Sequence, residues 1–335
     1  MNNIIKNIRH SVTIKEFASV YDYKADIFNT VSISISKADL IRYAISVGEF
    51  SNTRLDRKGI NFYSSFVEMA FYSKKNRFIK GNSYDHAETS IKATISFLIG
   101  MVSAKCIAEK KYQIGYLFHL KDPQITKCKG GKQPDFFGIS KNNSYIIEAK
   151  GTDRAKVNNT TVDHAKTQTK SISQIDLQHS NNITSYTSFE KHVITSSYPG
   201  NQFIISDIDP DGKSGDIKIT INTDKGYVKH YKSLYNFLRD NETSETTRNG
   251  LDFVVVMTDI GEIGIEKEIY CILKEYDSLF SDDEFLNSSE GLNQEEIYIS
   301  SRIKDIGYTE KYIKAMENQE GISLGYDGIV IFLKE

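Results

Sequence analysis

Residues 133–152, QPDFFGISKNNSYIIEAKGT, give the clearest indication of the fold of this chain. Its first half contains an apolar run at Phe136–Ile139, and its second half contains a strand-like segment at residues 145–150 that begins with three apolar residues. Between them stand Lys-Asn-Asn at residues 141–143, a polar group typical of a turn. The pattern therefore predicts a β-hairpin, and the apolar character of its second strand predicts that this strand is deeply buried.

Three charged residues lie on this apolar hairpin. Residues two apart in a strand point to the same face, so Glu148 and Lys150 project together at the end of the second strand. Asp135, at the entry to the first strand, can lie close to both across the hairpin. Burying two carboxylates and an ammonium is costly unless the charges bind something. A divalent cation with a bound phosphate satisfies all three groups, and we expect a site of that kind here.

The same residues resemble the signature of a known nuclease family. Pro134-Asp135, twelve intervening residues and then Glu148-Ala149-Lys150 are similar to the motif of the PD-(D/E)xK nuclease superfamily, which has the restriction-endonuclease-like fold. The resemblance implies that Asp135 and Glu148 hold Mg²⁺, with the Ala149 carbonyl as a further ligand. It also implies that Lys150, which we expect to stay positively charged between the carboxylates, orients the attacking water or the phosphate.

The resemblance covers roughly residues 85–210 and implies an α/β fold in which a mixed sheet is sandwiched by helices. It further implies a Mg²⁺-dependent endonuclease, a phosphodiesterase in which Mn²⁺ substitutes for Mg²⁺. DNA is favoured over RNA as the substrate, and bacterial restriction or anti-phage defence is the role that the family most often implies. Two alternatives stay open: a non-cleaving nucleic-acid-binding or scaffolding protein on a nuclease fold, and a strand-end ion pair without catalytic function.

Two helices that flank the motif carry candidate supporting residues. A helical pattern runs over residues 86–110, and Glu88 falls on its inward face. The resemblance makes Glu88 a candidate metal ligand, whereas the alternative is that Asp85 and Glu88 form a capping box. A second helix is predicted at about residues 162–178. There the resemblance makes Gln168 a candidate near the active site, and the alternative is a half-buried Gln at the helix edge.

The first of these helices also carries a row of small residues. Every fourth position along it holds a small side chain, namely Ser96, Gly100, Ala104 and Ala108. Small side chains let a second backbone come close to a helix, so this row predicts that another element packs tightly against it.

The remaining pattern predicts the organisation of the chain. We expect a nuclease core at residues 81–240, an N-terminal α/β extension at 1–80 and an acidic C-terminal region at 241–335, which is either a separate domain or an extension of the sheet. Outside the hairpin, the pattern predicts strands at 31–35, 112–120, 193–197, 202–206, 253–257, 268–273 and 329–333. It predicts a helix that begins with a capping box at Ser36 and Asp39, further helices at 62–71 and 231–238, and a linker or exposed loop at 239–250.

Charge is distributed unevenly along the chain, although the formal net charge is only −2. Residues 121–170 contain ten Lys or Arg and five Asp or Glu, and this basic excess coincides with the motif, as a phosphate-contacting surface requires. We predict that nucleic acid contacts Lys127, Lys129, Lys132, Arg154 and Lys156. Residues 251–335 contain seven Lys or Arg and nineteen Asp or Glu. This region faces away from nucleic acid, meets a protein partner or a second copy in a homodimer, or is plain solvated surface.

Composition and further motifs narrow the class of protein. Of 335 residues, 39% are hydrophobic and 26% are charged, as in ordinary globular proteins, and we find no apolar run near the roughly 20 residues that span a bilayer. Three Cys without paired spacing argue against disulfides or a zinc site, so we expect a cytoplasmic protein that does not contact a membrane. Residues 207–212 match only the first half of an EF-hand loop, and Ser323 lacks the helix and later His of a serine-hydrolase elbow.

Overall fold

The chain folds as a mixed α/β protein, shown here in a computed structural model. The structure describes residues 9–47, 55–128, 131–179, 182–210, 215–281, 301–303, 315 and 322–334. Within these residues, the strands form a seven-stranded, a four-stranded and a five-stranded sheet, together with a two-stranded hairpin of Phe71–Lys74 (β3) and Arg77–Lys80 (β4). The α/β class expected from the sequence is therefore confirmed.

The seven-stranded sheet contains the predicted hairpin as two neighbouring strands. It is formed by His10–Phe17 (β1), Asn29–Ile35 (β2), Leu117–His119 (β5), Phe136–Ile139 (β7), Ser144–Gly151 (β8), Glu190–Ser197 (β11) and Ile204–Ile208 (β12), in the spatial order β2-β1-β12-β11-β8-β7-β5. β8 pairs in parallel with β11 and antiparallel with β7, so the sheet is mixed, as expected. β1 and β2 come from the N-terminal extension, which therefore completes this central sheet.

Helices pack on both faces of the central sheet. Thr89–Lys110 (α5) lies on one face of β8, and Asn159–Lys170 (α6) lies on the other. Successive strand residues alternate between these faces: Ile194 belongs to the main core with α5, whereas Val193 packs with the apolar side of α6 in a smaller core. Glu148 is the register partner of Val193, so its side chain points to the α6 face.

The row of small residues on α5 marks its contact with the end of β8. A Cβ atom added at Gly151 would lie 1.9 Å from the Ser96 carbonyl oxygen, and one added at Gly100 would lie 2.9 Å from the Gly151 nitrogen. Because any larger side chain would push the two backbones apart, the close approach predicted from the small residues is confirmed here. The contact holds the end of the strand that carries Lys150 against α5.

The helices of the N-terminal part are Val20–Ala25 (α1), Lys37–Val47 (α2), Arg57–Ala70 (α3) and Asn82–Asp85 (α4). The predicted capping box at the start of α2 is confirmed. The Ser36 amide donates to Asp39 Oδ2 at 2.9 Å, and the Asp39 amide donates to Ser36 Oγ at 3.1 Å. These two reciprocal bonds satisfy backbone donors that the first turn of a helix otherwise leaves unpaired.

The four-stranded sheet shows where one helix prediction was wrong. It contains Thr126–Cys128 (β6), Ile172–His179 (β9), Asn182–Tyr186 (β10) and Ile217–Asn222 (β13), in the spatial order β10-β9-β13-β6. The helix predicted over residues 162–178 ends at Lys170, and β9 follows. Between Ile172 and Ile175 a β-bulge inserts one extra residue opposite β13, so both side chains face the core. The bulge gives this strand the three-residue spacing that is typical of a helix.

The C-terminal region forms a sheet of its own. Ser244–Arg248 (β14), Leu251–Met257 (β15), Gly261–Glu266 (β16), Ile322–Leu324 (β17) and Ile329–Leu333 (β18) pair in the order β14-β15-β16-β18-β17, with the helices Thr223–Arg239 (α7), Lys267–Glu275 (α8) and Ser278–Ser281 (α9) beside them. Two predictions were wrong in this region. The exposed segment 239–250 contains β14, which pairs with β15, and residues 268–273 are helical, because their buried side chains recur at helical spacing.

A buried ion network joins distant segments of the chain, and we call its members Arg42, Glu109, Lys105 and Asp327 the Arg42 network. Arg42 in α2 donates to both carboxylate oxygens of Glu109 in α5, at 2.5 and 2.8 Å. Asp327, in the turn between β17 and β18, lies 3.6 Å from Lys105 Nζ and 4.0 Å from Arg42 Nη1. The C-terminal sheet therefore shares one core and one set of ion pairs with the rest of the molecule.

α5 is also the one helix among the described residues that is long and apolar enough to cross a membrane by length and composition. The mean hydropathy of its most apolar window is 1.6, contrary to our expectation that the sequence contains no such run. Two thirds of that window (67%) is buried inside the protein, where α5 packs against β8, β11 and α2. This packing is that of the core helix of a globular protein.

Candidate active site

The hairpin of β7 and β8 brings the two carboxylates of the motif together. Phe136 pairs with Ile147 across the hairpin, so Asp135, one residue earlier, lies opposite Glu148. Asp135 Oδ2 accepts a hydrogen bond from the Ala149 amide at 2.8 Å, which orients the carboxylate along β8. Both side chains are buried, Glu148 completely. We refer to Asp135 and Glu148 as the carboxylate pair.

Lys150 lies beside Glu148 on the same face of β8, as the strand alternation predicted. Its ammonium donates to Glu148 Oε1 and, at 3.2 Å, to the Ala149 carbonyl oxygen. The Lys150 side chain is one quarter exposed (25%), whereas the carboxylate that it contacts is inaccessible to solvent. Lys150 therefore places a positive charge at the mouth of the site.

A second lysine, which the sequence reasoning did not select, reaches the carboxylate pair from the other side. Lys121 Nζ lies 2.5 Å from Asp135 Oδ1 and 4.0 Å from Glu148 Oε2. Lys121 follows β5, which pairs antiparallel with β7, and the Leu120 amide donates to the Asp135 carbonyl oxygen at 2.9 Å. The strand predicted before the hairpin could have indicated Lys121, because a strand that pairs antiparallel with β7 ends beside Asp135.

Burial and mutual repulsion change the acidity of Glu148. Burial, reinforced by the negative charge of Asp135, raises the pKa of the Glu148 carboxyl to about 7. Lys150 and Lys121 act in the opposite direction and do not cancel the effect. In addition, no residue of the described chain donates a hydrogen bond to the buried Oε2 atom of Glu148. A buried acceptor without a donor is expected where a cation belongs.

The residues at this site fit a hard divalent cation. The carboxylate pair supplies two oxygens, and the Ala149 carbonyl follows directly after Glu148 in the chain. Among the described residues, no cluster of three or more His, Cys, Asp or Glu side chains offers a metal site, so a bound cation would keep several waters. Mg²⁺ is bound in this way, through one or two carboxylates and a substrate phosphate.

The structure does not bring Glu88 to the carboxylate pair. Glu88 is the N-cap residue of α5, where its exposed carboxylate accepts hydrogen bonds from the Ser90 amide and hydroxyl. The helix touches the end of β8 at Ser96, eight residues further along, which is about 12 Å of helix. Glu88 therefore serves as a helix cap, although Asp85 is not its partner in a capping box as the alternative proposed, since α4 ends at Asp85.

Gln168 does lie beside the motif. Its amide nitrogen donates to the Gln133 carbonyl oxygen at 2.9 Å, two residues before Asp135. This bond attaches α6 to the segment that leads into β7. Gln168 thus positions the entry to the motif through a backbone carbonyl. Because α6 ends at Lys170, Gln168 lies in the last turn of the helix.

The five basic residues predicted to contact nucleic acid differ in their surroundings. Lys127 on β6, Lys132 and Arg154 are exposed, and Lys129 lies outside the described residues. Lys156 is half-buried, donates to the Tyr23 carbonyl oxygen, and has its ammonium 4.3 Å from the centre of the Tyr23 ring. Because Lys156 already holds α1, it is a weaker candidate for phosphate binding than the other three.

A further charged cluster lies on the opposite face of the sheet. Asp207 on β12 is buried and accepts hydrogen bonds from Lys111 (2.6 Å) and Tyr112, and its Oδ1 lies 2.8 Å from His192 Nδ1. Burial acts to raise the pKa of Asp207, but His192 and Lys111 lower it well below its usual range. The cluster joins the end of α5 to β11 and β12. Asp207, the first acidic residue of the EF-hand-like segment 207–212, therefore has ion-pair partners within the protein.

Comparison of this chain with protein-family models, with curated proteins and with solved structures found no match in any of the three. The chemistry of the site must therefore be argued from its own residues.

Proposed function

We propose that this protein is a metal-dependent endonuclease that hydrolyses phosphodiester bonds in DNA, built on a restriction-endonuclease-like core. The observation that carries the proposal is the buried carboxylate pair with an unpartnered Glu148 Oε2 and a lysine on either side. Buried carboxylates held together are unfavourable unless a cation neutralises them. Mg²⁺ is the proposed cation, and Mn²⁺ is expected to substitute for it.

Each residue has a defined task in the proposed reaction. Asp135 and Glu148 would hold the metal with the Ala149 carbonyl; the metal would neutralise the phosphate and lower the pKa of a water. Lys150, bonded to Glu148 at the mouth of the site, would position the attacking water or the phosphate. Its donor groups suit this role, since a protonated ammonium has no lone pair with which to bind the metal.

The surroundings of the site support a polyanionic substrate. Lys127, Lys132 and Arg154 are exposed on the segments that lead into and out of the motif hairpin. Phosphate contacts of this kind provide affinity without reading sequence. The proposed biological role is bacterial restriction or another form of anti-phage defence, which rests on the resemblance of the motif alone.

One feature favours a second candidate, a nucleic-acid-binding protein that does not cleave. Lys121 and Lys150 already pair with both carboxylates, so the charges of the site balance without a metal. A fold that had lost catalysis would be stabilised by such pairing. Binding of DNA without cleavage under every metal condition would support this candidate.

The test is incubation of the protein with supercoiled plasmid, linear duplex, single-stranded DNA and RNA, in Mg²⁺, Mn²⁺ or EDTA. We expect cleavage with either metal and none in EDTA. Asp135→Ala and Glu148→Ala should abolish cleavage while thermal stability stays equal or rises, because each removes one of two neighbouring like charges. Asp163→Ala, an exposed carboxylate on α6, is the matched control and should cleave normally. Full activity in Asp135→Ala or Glu148→Ala would contradict the proposal.

A further inference from the structure

Each carboxylate of the pair has one oxygen engaged by the motif itself and one that faces Lys121. Asp135 Oδ2 accepts the Ala149 amide, and Glu148 Oε1 accepts Lys150. The two remaining oxygens are Asp135 Oδ1 and Glu148 Oε2, and the cation near both is the Lys121 ammonium. A divalent metal held by the carboxylate pair would need oxygens from both residues, and these two are the ones that the motif itself does not engage.

We infer that Lys121 is an exchangeable counter-cation of the carboxylate pair, which a divalent metal displaces when it binds. This inference deepens the proposed function and rests on it. Lys121 thereby sets the metal affinity of the site: it is a positioning residue that keeps the two carboxylates together, and it competes with the metal for the same two oxygens.

The burial of the groups involved permits such an exchange. The Lys121 side chain is 44% exposed, whereas the carboxylates it contacts are buried. Its backbone is anchored because the neighbouring Leu120 amide donates to the Asp135 carbonyl oxygen. A lysine has a flexible four-carbon stem, so the ammonium can leave for solvent while the chain that carries it stays in place.

The charge balance makes the exchange necessary. With both carboxylates ionised, Lys121 and Lys150 bring the net charge of the four side chains to zero. A divalent cation attracted to a neutral site gains little Coulomb energy, and it is repelled by an ammonium within a few ångströms. Removal of Lys121 from the two oxygens leaves a net negative charge beside the metal, and binding then becomes favourable.

The first experiment is calorimetric titration of Mn²⁺ into the wild type and three lysine variants. Lys121→Met removes the competing charge and keeps the apolar stem, so it should bind Mn²⁺ roughly three- to tenfold more tightly. Lys121→Arg keeps a cation at the position and should bind no more tightly than the wild type. Lys141→Met, an exposed lysine in the turn at the far end of the same hairpin, is the control and should not change the affinity. Unchanged or weaker binding by Lys121→Met, or no binding by either protein, overturns the inference.

The second experiment needs no metal. In EDTA, Lys121→Met should lower the thermal unfolding midpoint by about 1–3 °C, because the carboxylate pair loses a counter-charge. The same substitution should have no such effect in a protein that already carries Asp135→Asn, where the pair no longer repels itself. Equal effects of Lys121→Met in both backgrounds would show that the lysine does not act through the carboxylates, and would overturn the inference.

The outcomes separate this inference from the proposed function. Tighter Mn²⁺ binding by Lys121→Met in a protein that cleaves no nucleic acid would support the exchange and refute the nuclease. Metal-dependent cleavage together with unchanged Mn²⁺ affinity in Lys121→Met would support the nuclease and refute the exchange.

Discussion

The Arg42 network and the carboxylate pair both bury acidic side chains, but they neutralise them in different ways. In the Arg42 network, every cation and every anion is buried, and Arg42 holds Glu109 through two parallel hydrogen bonds. At the carboxylate pair, only the anions are buried, and the cations Lys121 and Lys150 approach from the solvent side. The planar guanidinium fixes a geometry, whereas a lysine ammonium is a mobile point charge.

The difference also shows in the acidity of the groups. Burial acts to raise the pKa of Asp327 in the Arg42 network, but Lys105, His230 and Arg42 lower it well below its usual range. Burial and Asp135 raise the pKa of Glu148, and the two lysines do not offset this. The buried acids of the Arg42 network thus have buried cations of the chain as partners, whereas Glu148 Oε2 has no hydrogen-bond donor among the described residues.

The largest expected effect comes from breaking the Arg42 network. Arg42→Ala should lower the free energy of unfolding by about 3–5 kcal/mol, because Glu109 would remain buried without its partner. Chemical denaturation would measure the loss, and cleavage per folded molecule should be preserved. Arg248→Ala, which removes an exposed arginine of the C-terminal sheet, is the matched control and should change stability little. A loss below about 1 kcal/mol in Arg42→Ala would show that the network is not the structural one.

The second largest effect is expected from substitution of Lys150 beside the carboxylate pair, which should lower turnover without removing metal binding. Lys150→Ala should reduce cleavage by about 10²- to 10³-fold, as expected for a group that positions a reactant, and Mn²⁺ binding should be retained or strengthened. Lys150→Arg should rescue little, because the planar fork does not reproduce a compact ammonium. Glu148→Gln should lose the metal first. If Lys150→Ala lost Mn²⁺ binding as completely as Glu148→Gln, Lys150 would support the site structurally.

The third expectation concerns the pH dependence of stability that arises from Glu148 in the carboxylate pair. Because Glu148 has a pKa of about 7 in the folded protein against an ordinary value of 4.5, the folded state holds a proton that the unfolded state releases. Without metal, the stability from this group is therefore complete below pH 4.5 and declines as the pH rises to about 7, by at most about 1.4 kcal/mol per pH unit.

Urea unfolding in EDTA at several pH values would measure this slope. Glu148→Gln should remove it, although the charges of Asp135, Lys150 and Lys121 facing the site remain. Metal binding should strengthen over the same interval, since only the ionised carboxylate is a ligand. Identical pH dependences in the wild type and Glu148→Gln would contradict the raised pKa.

The smallest effect is expected at the exposed lysines near the site. Replacing Lys127 and Lys132 with Ala should weaken DNA binding similarly for all sequences, and it should reduce the slope of log affinity against log salt by roughly one for each phosphate that the protein no longer neutralises. Binding measured between low and moderate salt gives the slope. Lys267→Ala, an exposed lysine of the acidic region that pairs with Glu245, is the control. A slope unchanged from that of the wild type would mean that this surface faces away from the substrate.

Part of the site could be predicted because it is encoded by local patterns. The alternation of apolar and charged residues in β8 placed Glu148 and Lys150 on one face, and the short turn returned Asp135 to the same place. The small residues of α5 likewise predicted the close contact at Gly151. These features depend on strand period, helix period and side-chain size, which can be read from neighbouring residues.

Other features could not be predicted from local patterns. Ile172 and Ile175 have helical spacing, but a bulge opposite β13 makes both face the core from a strand. Glu88 has the right type and spacing for a ligand, but the first turn of α5 uses its carboxylate as a cap. The first case is decided by pairing with the distant strand β13, and the second by the residue at which α5 begins, which makes Glu88 its N-cap.

Local patterns thus sufficed to predict the motif hairpin, its buried charges and the α/β class, because strand alternation and apolar runs can be read from neighbouring residues. Only the folded chain shows that Lys121 Nζ lies 2.5 Å from Asp135 Oδ1 and 4.0 Å from Glu148 Oε2, and that Arg42 neutralises Glu109. Ion pairs between segments far apart in the chain follow from strand order and helix packing. Their partners carry no signal in the local sequence, since other lysines and arginines of the chain would look the same there.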